Sequence, residues 1–400
     1  MLKTQFISIL IILCLTSFKT AAQKDDPITQ VTFMGRDFRI PKAVLQLPAT
    51  LRHDIQATQA IDKFLSERTS DLLKEMDIAR KEMSLCDWLY YQLIRKVSNA
   101  IAPKLSDYFQ YTSVKFHLLS GSGYDPLLVV DAKRTLLYIR TNDIIYNLPA
   151  KLIGDRQYIC INHHDYGFDA ELPGSNAPML PNVADDSRLF SFAIDRLPDF
   201  PETDYMTREI EFDYGRKKEH LSIRLNKTMR GFFANYPVTE YGTQFNIPVS
   251  RVTSESLVNA LKPKLAGLSQ RNGLEYLLHF TRHAFLFAKD SDIFGREKRF
   301  SAEETLLYEK SDCEDRSALF FWLVKQTYDL PMIVLSFPDH VTVAVDLGES
   351  GGHTVDYNGN AYTICEPTPQ KKELRIGQTI PKLHDRPFEV HYVYTPKKVK

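Results

Sequence analysis

Three residues in the last third of the chain have side chains that could together do covalent chemistry. Cys313 stands in YEKSDCEDRS, His340 in FPDHVTVAV and Glu366 in AYTICEPTP. A cysteine attacks as its thiolate, and an unperturbed thiol, with a pKa of about 8.5, is mostly protonated at neutral pH. A helix N-terminus, a histidine to take the proton and a carboxylate to orient that histidine all favour the thiolate. The run ALFFWLV after Cys313 predicts a helix with the cysteine at its mouth, Ser311 or Asp312 as N-cap, and Glu314 and Asp315 in the first turn. Acids there favour the helix start but oppose a thiolate, so their side chains are expected to point away from the sulfur. His340 opens a strand after a Pro338-Asp339 turn, and Glu366 closes another strand before Pro367. Each residue alone has an ordinary reading: a structural cysteine, a turn histidine, a surface carboxylate. It is the ordered set that points to a nucleophile, a base and an orienting acid.

Other groups carry weaker signals. His279 and His283 lie one helical turn apart in HFTRH, a spacing that can hold a metal, but Phe280 occupies the place of the general-base Glu in HExxH enzymes. Helix packing is the simpler reading, and no metal or cofactor is expected. His163-His164-Asp165 reads as a polar turn after a strand. Cys365 adjoins Glu366, and strand alternation turns it to the opposite face, toward a core. Asp346 and Asp356 are fallback partners for His340. Tyr308 is a candidate oxyanion donor beside the backbone N–H of Cys313.

The elements that must position these groups follow from the wider pattern. The start, MLKTQFISILIILCLTSFKTAAQ, has a basic residue, a short apolar stretch and small residues before Gln23, which together predict an export signal over 1–22. No later run has the length of a membrane span. The 50 basic and 50 acidic residues balance. Removing Lys3 and Lys19 with the signal leaves a net charge of −2, and nothing in the sequence resembles a nucleic-acid footprint, which needs clustered basic charge. Cys86, Cys160, Cys313 and Cys365 remain, too few for a disulfide scaffold in so long a chain and without zinc-ligand spacing.

VTFMGRDFRI predicts a strand pair turning at Gly35. Helical spacing follows from Ala49 to Met83, from Asp87 to Ile101 and from Ser113 to Leu119, and then come strands LLVV, TLLYIR and YICI. Pro173 to Asp185 is rich in Pro, Gly and Asn and reads as a linker. SFAID, TREIEFDY and HLSIRL predict a small β domain with a turn at Tyr214-Gly215-Arg216. Helices return in ESLVNALKPKLAGL, where Pro263 is placed to break the run, and in GLEYLLHFTRHAFLFAK. Strands MIVLSF, VTVAVDL and AYTIC close the order. Sliding the chain by 204 sets Ser113 on Ser317, Phe116 on Phe320, Leu119 on Leu323, Val130 on Val334 and Tyr158 on Tyr362. At that offset Cys313 meets Phe109, His340 meets Leu136 and Glu366 meets Asn162. The first half is therefore expected to repeat the second with its three chemical positions replaced.

The stretch from Gly273 to about Pro367, with its YLLHF, SAEETLLYEKSDCEDRS, DHVTVAV and YTICEPT segments, resembles the transglutaminase-like superfamily, in particular its exported bacterial members. The likeness covers about a quarter of the chain. It implies an α+β, papain-like core and a Cys-His-Asp triad carried here by Cys313, His340 and Glu366. Glu366 departs from the Asp usual in the family. The resemblance implies an exported cysteine hydrolase or acyl transferase acting on peptide or carboxamide bonds of a protein or peptide, without cofactor. The alternative is a catalytically silent binding or assembly protein on two such cores. The expected organisation is an N-terminal α+β domain over 23–170, a linker over 171–187, the β domain over 188–250 and the catalytic domain over 251–400.

Overall fold

The computed structural model describes residues 28–396, apart from 51, 168–169, 175, 183–185 and 349–350. The expected export signal lies outside the described residues. The chain is mixed α+β. It opens with the hairpin β1 (Ile28–Phe33) and β2 (Arg36–Pro41), which turns through Met34 and Gly35, both at positive φ. Helices α1 (Ile55–Ser66), α2 (Ser70–Glu82), α3 (Asp87–Ile101) and α4 (Tyr108–Gly121) follow. The expected helical stretch from Ala49 to Met83 is thus two helices, parted at Arg68-Thr69, where Thr69 Oγ1 bonds back to the Leu65 carbonyl.

A first antiparallel sheet is built from β3 (Pro126–Val130), β4 (Thr135–Arg140), β5 (Ala150–Ile153), β6 (Arg156–Cys160) and β7 (Met179–Pro181) in the order β5-β6-β4-β3-β7. β7 comes from the segment expected as a linker. Its three residues add to the β3 edge by backbone pairing, which needs no hydrophobic period. The region 188–250 does not form a separate β domain. SFAID is not a strand, and a single long hairpin, β8 (Tyr205–Tyr214) and β9 (Lys217–Asn226), is followed by short helices α5 (Met229–Phe233) and α6 (Tyr241–Phe245). The hairpin's inward residues Ile210, Phe212, Leu221, Ile223 and Leu225 belong to the same hydrophobic core as both halves of the chain. It has no core of its own, as an independent domain would require.

The second half runs α7 (Arg251–Leu265), α8 (Gln270–His283), β10 (Leu286–Phe287), α9 (Asp290–Phe294), α10 (Ala302–Leu307), β11 (Lys310–Ser311) and α11 (Cys313–Thr327). Pro263 lies in the last turn of α7, and the helix continues through it to Leu265. The second sheet joins β12 (Met332–Phe337), β13 (His340–Val345), β14 (Thr354–Tyr357), β15 (Asn360–Cys365) and β16 (Glu389–Tyr394) in the order β14-β15-β13-β12-β16. This is the strand order of the first sheet, element for element, and every pairing in both sheets is antiparallel. Central strands are covered on both faces. Val334 faces the main core while Ile333 and Leu335 face a second cluster, as Leu128 does against Leu127 and Val129. That explains their unbroken apolar runs.

The registers refine the correspondence between halves. Phe337 pairs with His340 across a two-residue turn, and Asp131 N–H bonds the Arg134 carbonyl across another. Tyr357 pairs with Asn360, and Ile153 with Arg156. An offset of 204 therefore holds for β5/β6 against β14/β15, keeping Asn162 opposite Glu366. The β3/β4 hairpin is offset by 206, so Arg134, not Leu136, takes the place of His340. The N-caps Asp107 and Asp312 differ by 205 and set Tyr108, not Phe109, against Cys313. A single ungapped slide could not register these small shifts in connection length.

Candidate active site

Asp312 caps α11, its side chain accepting from Asp315 N–H while Asp315 Oδ2 accepts from Asp312 N–H at 3.2 Å. This reciprocal capping box makes Cys313 the first helical residue. Cys313 and Ser317 share a face, one turn apart. Ser317 Oγ donates to the Val341 carbonyl at 3.1 Å, and the backbone N–H of Val341 is turned to the Cys313 sulfur. The mouth of α11 is thus seated on the opening of β13, where His340 lies.

His340 and Glu366 meet. His340 Nε2 donates to Glu366 Oε2 at 2.8 Å, and both side chains are buried. The other carboxylate oxygen accepts from Thr368 N–H at 2.8 Å. Because a carboxylate only accepts, Nε2 carries a proton and Nδ1 is left as the basic atom of a neutral ring. The fallback partners are not involved. Asp346 accepts from Gly348 N–H, and Asp356 is exposed in β14. The longer Glu therefore reaches the imidazole from the end of β15.

Two buried arginines hold this arrangement, and sequence reasoning missed both. Arg282 on α8 donates from Nε and Nη2 to the Glu366 carbonyl, at 2.8 and 2.5 Å, and from Nη1 to the Leu374 carbonyl at 2.6 Å. Arg316, wholly buried on α11, donates to the carbonyls of Thr281, Arg282 and Phe285 at 2.8–2.9 Å. The Thr281 and Arg282 carbonyls belong to the last turn of α8, where no intrahelical partner is left for them, and Phe285 lies two residues beyond its end. Arg316 thus locks α11 to α8, and Arg282 locks α8 to Glu366. The only hint in the sequence was that both sit in motifs already singled out, HFTRH and CEDRS.

One expectation about the helix mouth is overturned. Glu314 does not point away: the Cys313 thiol donates to Glu314 Oε2 at 2.8 Å. Burial, then the Glu314 and Asp312 carboxylates, push the thiol well above its usual range, against the pull of the Val341 N–H. A protonated thiol is a donor, so a neighbouring carboxylate gains a hydrogen bond rather than meeting repulsion. The acidic surroundings extend further. Burial, followed by Asp315 and Glu314, pushes Asp312 up to about 10, and burial with Glu297 and Glu314 pushes Asp290 up to about 7.

The remaining candidates sort by their contacts. Cys365 is fully buried in the core, and all four described cysteines are free thiols. Tyr308 stacks on Phe300, with centroids 4.4 Å apart, and Arg230 lies over its ring. Asp165 is more than a turn residue: it binds Lys104 and the Tyr108 hydroxyl at 2.6 and 2.7 Å. Asn162 Nδ2 donates to the same hydroxyl at 2.9 Å. The first-half counterparts of Cys313 and Glu366 are thus knitted into a hydrogen-bonded network. A cleft of about 400 Å³ lies over it, lined by His53, Tyr108, Phe109, Asp131 and Arg134 among others. No described helix is long and apolar enough to cross a membrane. No protein-family model, curated protein or solved structure matches this chain.

Proposed function

We propose that this protein is an exported, transglutaminase-like cysteine hydrolase or acyl transferase acting on peptide or carboxamide bonds. The observation that carries the reading is the buried His340–Glu366 pair at 2.8 Å, beside the β13 opening on which the first turn of α11 rests. In this mechanism His340 Nδ1 takes the Cys313 proton, and the thiolate attacks the substrate carbonyl carbon. The tetrahedral oxyanion collapses, the C–N bond breaks, and the amine leaves with the proton from His340. Water then hydrolyses the thioester, or an incoming amine forms a new amide. Glu366 keeps the ring oriented and balances the imidazolium. The α8–α11 pair and second sheet are read as a papain-like core, and the first half as a copy without the chemistry. The shared strand order and the replacement of Cys313, His340 and Glu366 by Tyr108, Arg134 and Asn162 support this.

The second reading is a silent binding or assembly protein. It is favoured by the Cys313–Glu314 hydrogen bond, which holds the thiol protonated, and by the cleft over Tyr108 in the first half. A peptide-amide electrophile separates the two. Labelling of Cys313 at mildly acidic pH that is lost in His340→Ala supports the enzyme. Equal, slow labelling of wild type and variant supports the silent protein.

A further inference from the structure

The exposed side of α8 meets the segment that follows β15, and there Glu373 comes against both helix histidines. Its Oε1 lies 2.5 Å from His279 Nδ1 and 4.0 Å from His283 Nε2. The three potential ligand atoms are all within 4.8 Å of one another, and the two rings have centroids 4.2 Å apart.

The tautomer of His279 is the decisive point. Its Nε2 hydrogen-bonds the carbonyl of Asp213. A carbonyl can only accept, so Nε2 carries the proton, and a neutral ring then aims the Nδ1 lone pair at a carboxylate oxygen. Two acceptors that close need a positive centre between them. A proton can bridge two atoms, but here a third, His283 Nε2, converges on the same place. A tetrahedral zinc centre with bonds of 2.0–2.1 Å sets its ligand atoms about 3.3 Å apart. The separations of 2.5 and 4.0 Å straddle that value. Glu373 and His283 are about half exposed and can rotate to equalise them, while His279 is held by the Asp213 carbonyl. A ligand histidine with its other N–H on a backbone carbonyl is the outer arrangement metal sites use.

We infer that His279, His283 and Glu373 form a binding site for a zinc-class transition metal, with two imidazole nitrogens, one carboxylate oxygen and a fourth position open to solvent. Imidazole ligands select such ions over calcium and magnesium. Arg282, whose Nη1 is 4.0 Å from the same carboxylate oxygen, opposes a dication and makes the site exchangeable rather than permanently loaded. The metal ties α8 to the 366–374 segment a second time, next to the tie Arg282 makes to Glu366 and Leu374. The inference does not depend on Cys313 being reactive.

The test uses the full chain, stripped with a chelator and dialysed against micromolar Zn(II) or Co(II). One equivalent binds, Co(II) gives the visible absorption of a low-coordinate site, and Mg(II) and Ca(II) are not retained. His283→Ala and Glu373→Gln each weaken binding by about tenfold or more with the circular dichroism spectrum unchanged. Cys313→Ala leaves binding intact, which separates this site from the Asp312-Cys313-Glu314 cluster. Zinc slows amide exchange over 366–374 in wild type but not in His283→Ala. Failure to retain cobalt, binding that survives the His283 and Glu373 changes together, or binding lost with Cys313 overturns the inference.

Discussion

The thiol of Cys313 and the carboxylate of Glu314, neighbours in the chain, are hydrogen-bonded at 2.8 Å across the first turn of α11. The helix end favours a thiolate and the carboxylate opposes it, and burial adds to the carboxylate's side. Glu314→Gln keeps the shape and removes the charge, so the thiol pKa falls. A pKa lower by one raises the thiolate fraction about tenfold while the pH stays below it. Iodoacetamide alkylation of Cys313 at neutral pH is expected to speed up by about tenfold or more. A rate equal to or below that of wild type would show that Glu314 does not restrain the thiol.

Glu366 has a different task, since it bonds His340 and not the sulfur. Glu366→Gln removes the partner of the imidazolium and allows the amide to hold the wrong tautomer. Loss of that charge in a serine triad costs about 10⁴ in rate, and a Cys–His pair, which ionises more readily, is expected to lose about 10–10³. Glu366→Asp retains activity if β15 closes by one methylene. The check is the pH dependence of Cys313 alkylation in the three proteins. Superimposable profiles for wild type and Glu366→Gln would remove Glu366 from the proposed triad.

Much of this site was legible because its signals are local. α3 spans Asp87–Ile101, as its periodicity indicates, and the Pro338-Asp339 turn places His340 at the start of β13. What was hidden has partners distant in the chain. Arg316 serves carbonyls about 30 residues away, and Glu373 meets His279 across 94 residues. Nothing in a helical period encodes such meetings. β7 escaped notice because an edge strand of three residues is defined by its neighbour's unpaired groups. The side-chain direction of Glu314 escaped because it depends on a rotamer, not on spacing.

Arg316 is expected to matter for stability as much as any core residue. Arg316→Met preserves much of the packed volume but leaves three buried carbonyls, two in the last turn of α8 and one just beyond it, without their donor. Hydrogen bonds to a charged group contribute about 1.5–3 kcal/mol each, and buried acceptors left unpaired cost a similar amount. The removed buried charge offsets part of this. A net loss of about 3 kcal/mol is expected in urea unfolding, and a loss below about 1 kcal/mol means the α8–α11 lock is not made by this side chain.

Asp290 gives a pH test with a definite sign. Its carboxyl is buried, Oδ2 accepts from Lys298 N–H at 2.7 Å, and Oδ1 has no partner among the described residues. Burial, Glu297 and Glu314 raise it from 3.8 to about 7, against the Lys298 charge and N–H. A raised value in the folded state means a contribution that is fully present below the unfolded value and is lost as pH rises through about 7. The protein should therefore lose stability from Asp290 between about pH 4 and 7, with a slope of at most about 1.4 kcal/mol per pH unit, a few kcal/mol in all. Asp290→Asn keeps an acceptor for Lys298 N–H and cannot ionise. The variant should match wild type or fall slightly below it in urea at about pH 4, and exceed it by a few kcal/mol at about pH 8. Asp312 and Asp315 titrate with Asp290, so the wild-type slope is broad, and the informative quantity is the difference between the two proteins. A difference that stays constant between those two pH values means that Asp290 is ionised in the folded protein throughout.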